Sequence, residues 1–509
     1  MFFSDRRVRG ARACARRAHR PVARVMVAAT VIMGFATAVA RPAAAAPLDD
    51  PFIGGLSFTG PTSGNLAAVY WNPAALGLVR GLQIMVGGTA HLSTIDVQRA
   101  SIDPMTGIPG GSQATGNATA DGFARPSLFG PRSYLAISSD LGGDRFTLAF
   151  ATFMPWVEQV SYPLSAAGDE PTRYHALKVD LRNLALVPAL AIRFGNELRV
   201  GLAPGFMFST GQLSFAEDLG LNAGAGAENP EAAARFNVAS GHGLGDAKFS
   251  VTLGGGIYWR RRNLELGLAY QSRPIGSDRG VEVSGQRSSA TLPPLAGGGP
   301  VSCAAGQTDR CVFGDLSYKL PDVFIAGATW RLSPGLELSA MVRWLWMHVH
   351  DRIDVRLFGP TLDTYGLPQH IVFYRGFKDV WDTRVRVSYW WREQLRIGAA
   401  MRVETSAVPT DAVNPAAVDA LKLEPMALIE IRIARRIWLS GGYGITFMPS
   451  VDVTNSVFKP EYASGCFEAG GNLATEACQA RLDGRARPTA NGRYTATRQD
   501  FGMTLTTRF

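Results

Sequence analysis

The last ten residues, DFGMTLTTRF, alternate between two faces. Phe501, Met503, Leu505, Thr507 and Phe509 share one side; Asp500, Gly502, Thr504, Thr506 and Arg508 share the other. A period of two puts successive side chains on opposite faces of an extended chain, so the segment predicts a β-strand. The pattern recurs upstream. Leu336, Leu338, Ala340, Val342, Trp344 and Trp346 oppose Glu337, Ser339, Met341 and Arg343, and Thr383, Val385, Val387 and Tyr389 oppose Asp382, Arg384, Arg386 and Ser388. Leu395, Ile397, Ala399, Met401 and Val403 oppose Arg396, Gly398, Ala400, Arg402 and Glu404, and Ile429, Ile431 and Ile433 oppose Glu430 and Arg432. The runs are long beside soluble strands, which average about five or six residues. Their polar faces carry charges and small residues, as a wet lumen would. Their apolar faces gather aromatics near the ends, as in the interfacial girdles of membrane barrels.

Connections alternate too. Short turns fall at 141–144, 194–196, 260–263, 333–335, 392–394 and 434–436. Between them lie long polar stretches near 98–124, 157–172, 217–244, 287–313, 358–369, 408–423 and 457–490. Counting from a first strand at about 82–97 to Phe509 predicts fourteen strands. The fold class is therefore all-β, a 14-stranded antiparallel transmembrane β-barrel with short turns on one side and long loops on the other. A closed sheet satisfies its own backbone in hydrocarbon, and each crossing takes only about 9–11 residues, so no long apolar run is needed.

Residues 1–45 read as a signal peptide: an arginine-rich start, an apolar run at 25–40 and small residues at Ala43-Ala44-Ala45. This leader accounts for +8 of the chain's +9 net charge, which leaves +1 and removes any case for a nucleic-acid partner. Cys14 leaves with it. Cys303 and Cys311 lie in one long loop, Cys466 and Cys478 in another, both on the predicted external side. In an exported chain these spacings suit two local disulfides, although four cysteines formally allow three connectivities. Neither pair has the CxxC spacing of a zinc site.

Residues 46–80 break the pattern. YWNPAAL (70–76) contains Pro73, which lacks an N–H, and Asn72, which the proline pushes away from helix. The segment reads as an ordered plug, with the barrel at 81–509. Here the chain resembles the FadL/TodX family of outer-membrane channels for hydrophobic compounds. The likeness rests on Asn72-Pro73-Ala74, Leu320-Pro321-Asp322, Arg375-Gly376-Phe377-Lys378-Asp379, the loop VPTDAVN (408–414) and the terminal Phe509, which matches the signal read by barrel-assembly machinery. It implies a fourteen-stranded barrel with an N-terminal hatch in the lumen, whose Asn-Pro-Ala tip gates passage by meeting a kink in the third strand. Pro155 lies in that strand, DRFTLAFATFMPWVEQV (144–160); it either bulges the wall or ends the strand at the outer rim.

Lumen charges such as Arg343, Asp382, Arg384, Arg386, Arg402 and Glu404 are expected to pair across strands and hold the hatch. Phe377 and Lys378, with Arg384 and Arg386, are the candidate ligand-binding residues. A ring beside an ammonium suits an amphipath with a carboxylate head, and a salt bridge from Lys378 to Asp379 or Asp382 is the alternative. His348 and His350, two apart on one strand face, fit a solvated rim better than a metal site. His91 and Ser93 share a lumen face without an orienting partner, so no catalytic residue is assigned. No metal or cofactor is expected. The resulting expectation is a passive, monomeric channel in the outer membrane of a Gram-negative cell. Its partners would be fatty acids or hydrocarbons, outer-membrane lipids and the assembly machinery. Ligand would be captured near the external loops and released by hatch movement, with a lateral wall opening as one exit. The alternatives are a porin-like or lipid-binding surface barrel, or a lipid-acting barrel enzyme.

Overall fold

The structure, a computed structural model, describes residues 51–99, 122–164, 170–218, 233–240, 248–275, 280–285, 288–292, 298–302, 312–365, 367, 369–457 and 490–509. Residues 1–50 and all the cysteines lie outside the described residues. Fourteen wall strands follow in chain order. They are β1 (Gln83–Arg99), β2 (Ser127–Ser139), β3 (Phe146–Ser161), β4 (Lys178–Phe194), β5 (Leu198–Asp218), β6 (Lys248–Arg261) and β7 (Leu264–Gln271). Then come β8 (Val323–Arg331), β9 (Leu336–Leu345), β10 (Val380–Arg392), β11 (Leu395–Glu404), β12 (Lys422–Ala434), β13 (Ile437–Phe447) and β14 (Gly492–Arg508). Each pairs antiparallel with the next, and β14 returns to β1 over a ladder from Gln83↔Arg508 to Arg99↔Gly492. The sheet is closed. All six short turns separate the pairs where the alternation breaks in the sequence.

Burial is inverted relative to a water-soluble protein. Arg343 and Asp382 are 0 % exposed, whereas Leu202 is 62 % and Val387 47 % exposed. Charged groups are almost never fully buried unless paired, and large apolar side chains do not face water in a continuous band. The band wraps the wall through Leu92, Phe150, Leu268, Ile397, Ile429 and Met503. Hydrocarbon is the solvent that makes this arrangement favourable.

The lumen has two halves. Toward the short turns it is charged and filled by residues 51–80. Toward the long loops its walls turn apolar: Ile95 and Val97 of β1, Val179 and Leu181 of β4, Leu213 and Phe215 of β5, Tyr494 and Ala496 of β14. A second, four-stranded antiparallel sheet packs there, built from Val281–Gly285, Phe313–Tyr318, Arg352–Phe358 and His370–Tyr374. It seats Phe373 edge-on against Phe215 at 4.7 Å and sends Tyr318 to Asn183 of β4.

Candidate functional site

The hatch is held by rings and guanidinium groups. Three of its aromatic side chains sit between arginines of the wall. Trp71 lies beneath Arg343 and Arg384 at 5.5 and 5.1 Å. Phe58 meets Arg386 and Arg396 at 5.5 and 4.0 Å, and Phe52 meets Arg402 and Arg498 at 5.5 and 5.9 Å. Each desolvated cation–π contact contributes about 1–2 kcal/mol. Arg343 and Arg402 are themselves neutralised: Asp382 receives Arg343 at 2.7 Å and Arg402 at 2.9 Å, and Arg402 also reaches Glu424 at 3.0 Å. Two cations of β4 and β5, Arg193 and Arg199, close the last turn by donating to the Gly77 carbonyl at 2.6 and 3.3 Å.

Ala68–Trp71 form one helical turn, and Pro73–Leu78 continue as a 3₁₀ segment. Asn72 between them is extended; its Oδ1 accepts from the Ala74 N–H at 3.1 Å, a side-chain cap that proline permits because N1 needs no donor. The tip lies flat on the wall. A Cβ at Gly201 of β5 would come within 2.3 Å of the Pro73 carbonyl carbon, and one at Gly256 of β6 within 2.1 Å of Asn72 Oδ1. Asn72 Nδ2 donates to the Pro61 carbonyl at 2.8 Å and the Ile257 carbonyl at 3.0 Å. Asn72, Pro73 and Ala74 thus rest on β5 and β6. Tyr70 of the hatch meets the third strand, edge-on to Phe153 at 5.6 Å.

Pro155 marks a bulge inside β3, not its end. Phe153 faces Ala185 and Trp156 faces Asn183, so Met154 and Pro155 stand opposite one residue, Leu184. Pairing with β2 stops just before, at Leu135↔Thr152. Beyond it, Ser127–Tyr134 pair with β1 and Trp156–Ser161 with β4, and among the described residues neither run pairs with the other. The wall therefore has a seam. From Pro155 to Val160 every side chain is buried, so this part of β3 has turned inward. The Trp156 carbonyl receives Asn183 Nδ2 at 3.1 Å, while Asn183 Oδ1 accepts from Ser209 and Tyr318 at 2.6 and 3.1 Å. Tyr134 and Phe153 stack across the foot of the seam at 5.7 Å, and Tyr134 donates to the Leu66 carbonyl of the hatch at 2.7 Å.

Family members of known structure share this frame. The family described as outer membrane protein transport protein (OMPP1/FadL/TodX) matches residues 35–418, most of the chain. The chain belongs to the FadL/TodX family. A FadL homologue of Pseudomonas aeruginosa is similar at 13 % identity over 92 % of this chain and 100 % of that one, with a TM-score of 0.68. The toluene transporter TodX of P. putida aligns at 12 % identity over 88 % and 95 %, TM-score 0.60. The toluene transporter TbuX of Ralstonia pickettii aligns at 13 % over 89 % and 99 %, TM-score 0.55. Among curated proteins none matches. As a FadL/TodX protein the chain is an outer-membrane transport channel for hydrophobic compounds, in a family of channels rather than enzymes.

Against that background the expected ligand residues separate. Arg384 and Arg386 are buried and engage the hatch, Arg386 donating to the Thr59 carbonyl at 3.0 Å. Phe377 is buried against His350 at 5.1 Å. Lys378 is exposed, and its N–H donates to the Ala407 carbonyl at 2.7 Å. Gly376, at φ +57°, turns the chain so that Arg375 and Phe377 are both buried while Lys378 is not; a Cβ there would lie 2.7 Å from the Tyr374 ring. The partners considered for Lys378 are taken: Asp379 lies 2.6 Å from His348, and Asp382 holds Arg343 and Arg402. His348 and His350 do not share a strand face, because the chain leaves β9 in a 3₁₀ turn at Met347–Val349. His348 is a solvated rim residue, whereas His350 is fully buried, and burial with Arg375 beside it pulls its pKa down to about 3. Among the described residues no group of three metal-ligating side chains exists. His91 is committed to Asp500. Strand alternation does not single out Asn183, Tyr134 or the Glu158–Arg375 ion pair (2.7 Å), since each matters through the strand beside it.

Proposed function

We propose that hydrophobic molecules enter among the external loops, collect in the apolar outer lumen and leave sideways through the β2/β3 seam into the bilayer. The seam is the observation that supports this reading: the wall's ladder is interrupted at a proline bulge, and two stacked rings stand where strand pairing ceases. Straight passage toward the short turns is opposed by the charged ring and by a hatch whose Trp71, Leu66 and Leu76 are fully buried. A hydrocarbon crossing that ring would gain none of the roughly 0.8 kcal/mol per methylene that the apolar half offers. Through Tyr70 and Leu66 the hatch touches both seam rings, so its displacement would free them, and movement down the concentration gradient would follow. Hydrocarbons and long-chain fatty acids are the substrates to try.

Removing the bulge tests the route. Deleting Pro155 should let β3 re-pair with β2 above Thr152 and reduce hydrocarbon uptake into proteoliposomes at least severalfold, with heat-modifiable barrel still present. Pro155→Val, which restores one donor, should act in the same direction more weakly. Uptake equal to the parent in both folded variants would exclude the seam as the exit.

A further inference from the structure

The outer lumen holds two buried acceptors that the transport reading does not use. Glu158 lies on β3 beyond the bulge and is 5 % exposed. Its Oε1 accepts from Arg375 at 2.7 Å; its Oε2 is buried with no hydrogen-bond partner among the described residues. His350, 0 % exposed, shares the Phe377 ring with the same arginine. Its Nδ1 is 2.7 Å from the Lys319 carbonyl. A carbonyl can only accept, so Nδ1 carries the proton and Nε2 presents a lone pair. That Nε2 is also buried and has no partner among the described residues. With its pKa at about 3 the ring stays neutral at ordinary pH, so the lone pair persists. The Phe377 ring lies against His350 at 5.1 Å and against the Arg375 guanidinium at 5.6 Å. Phe377, Tyr318, Leu345 and Met347 belong to one continuous apolar cluster.

Buried polar groups are paired in nearly all proteins, and two acceptors left open beside an ion pair are costly. From these two lone pairs we propose a head-group site for hydrophobic molecules that carry a hydrogen-bond donor, such as phenols and alcohols. The proposal rests on the reading of the outer lumen as the ligand compartment. A hydroxyl hydrogen satisfies one acceptor while its carbon body occupies the apolar cluster. A pure hydrocarbon leaves both open. A carboxylate brings only lone pairs, and the Arg375 charge is already committed to Glu158. The preference is thus the reverse of the one that a ring next to Lys378 implies.

Three probes of one shape separate the cases: toluene, p-cresol and p-toluate, titrated into the full-length barrel in detergent and followed calorimetrically at neutral pH. p-Cresol should bind about tenfold more tightly than toluene, because a site built for a hydroxyl loses that much when the hydroxyl is missing. p-Toluate should bind no more tightly than toluene. In His350→Phe, which keeps a ring and removes Nε2, the p-cresol advantage should shrink several-fold with toluene affinity little changed. Equal affinities for all three in the parent protein, or p-toluate the tightest, would overturn the proposal. If His350→Phe does not yield a folded barrel, the parent series still decides. Proteoliposome uptake of toluene is read separately: its absence beside a clear p-cresol preference would reject the transport route and leave the head-group site standing.

Discussion

Trp71→Ala should release the hatch and leave the wall intact. The indole is 0 % exposed, lies under Arg343 and Arg384, and donates from Nε1 to the Ile53 carbonyl at 2.8 Å. Truncating a buried tryptophan costs about 3–5 kcal/mol, a figure that already includes much of the lost packing. Two desolvated cation–π contacts and one hydrogen bond place this position at the upper end, near 5 kcal/mol. With docked and undocked hatch exchanging in two states, that raises the undocked population by about 10³- to 10⁴-fold. None of the wall's ladders includes residue 71, so the barrel should keep its heat-modifiable migration. Native-state proteolysis reads the undocked population directly when closing is faster than cleavage. Cleavage within 51–80 should accelerate by about three to four orders of magnitude. Trp71→Phe, which keeps a ring under the arginines, should give a much smaller increase. Unchanged cleavage in a folded Trp71→Ala barrel would refute the claim that the arginine–aromatic contacts hold the hatch. So would loss of hatch and wall together.

Asn183→Leu should destabilise the barrel by about 2–3 kcal/mol, read as a lower unfolding temperature, since the Trp156 carbonyl, Ser209 and Tyr318 each lose a buried partner. His350 makes the external region acid-sensitive. Its folded pKa, about 3, lies below its ordinary value of 6.5, so the unfolded chain binds the proton more readily and stability falls as pH drops from about 6.5 toward 3. The slope should approach about 1.4 kcal/mol per pH unit from this residue and disappear in His350→Phe, measured by unfolding at stepped pH. Deleting Phe509, whose N–H donates to the Leu82 carbonyl at 2.8 Å, should reduce the amount of folded barrel in the membrane more than the uptake per folded molecule. Peptide mapping without reductant should recover Cys303–Cys311 and Cys466–Cys478; free thiols would contradict the expected pairing.

The wall was legible because its two solvents differ. One face of each strand meets hydrocarbon and the other the lumen, so Val385 and Val387 alternate with Arg384 and Arg386 without exception, and the turns fall where that rhythm stops. The rhythm carries no information once both faces are buried. Pro155–Val160 sit between lumen and seam, so their sequence left bulge and rim equally open. Period two continues through Trp346 and so puts His348 and His350 on one strand; the 3₁₀ turn that separates them is closed by the His350 N–H donating to the Met347 carbonyl at 2.9 Å. The short external strands, such as Val281–Gly285 and Arg352–Phe358, alternate like the wall and could not be told from its extensions. Phe377 and Lys378, adjacent in the sequence, differ in surroundings, the first buried and the second exposed, a difference that no periodicity marks.

The ladder that closes the barrel joins the earliest strand to the latest over 17 residues, the full length of both. A ribosome therefore delivers the partner of β1 last, after some four hundred intervening residues. Chain entropy makes such a distant contact slow to form, and no partial product can substitute for it. A message truncated anywhere upstream of Gly492 yields an open sheet with two raw edges, unfit for hydrocarbon and conspicuous to proteases. This closure thus works as an integrity check: only a chain read through β14 can become a cylinder.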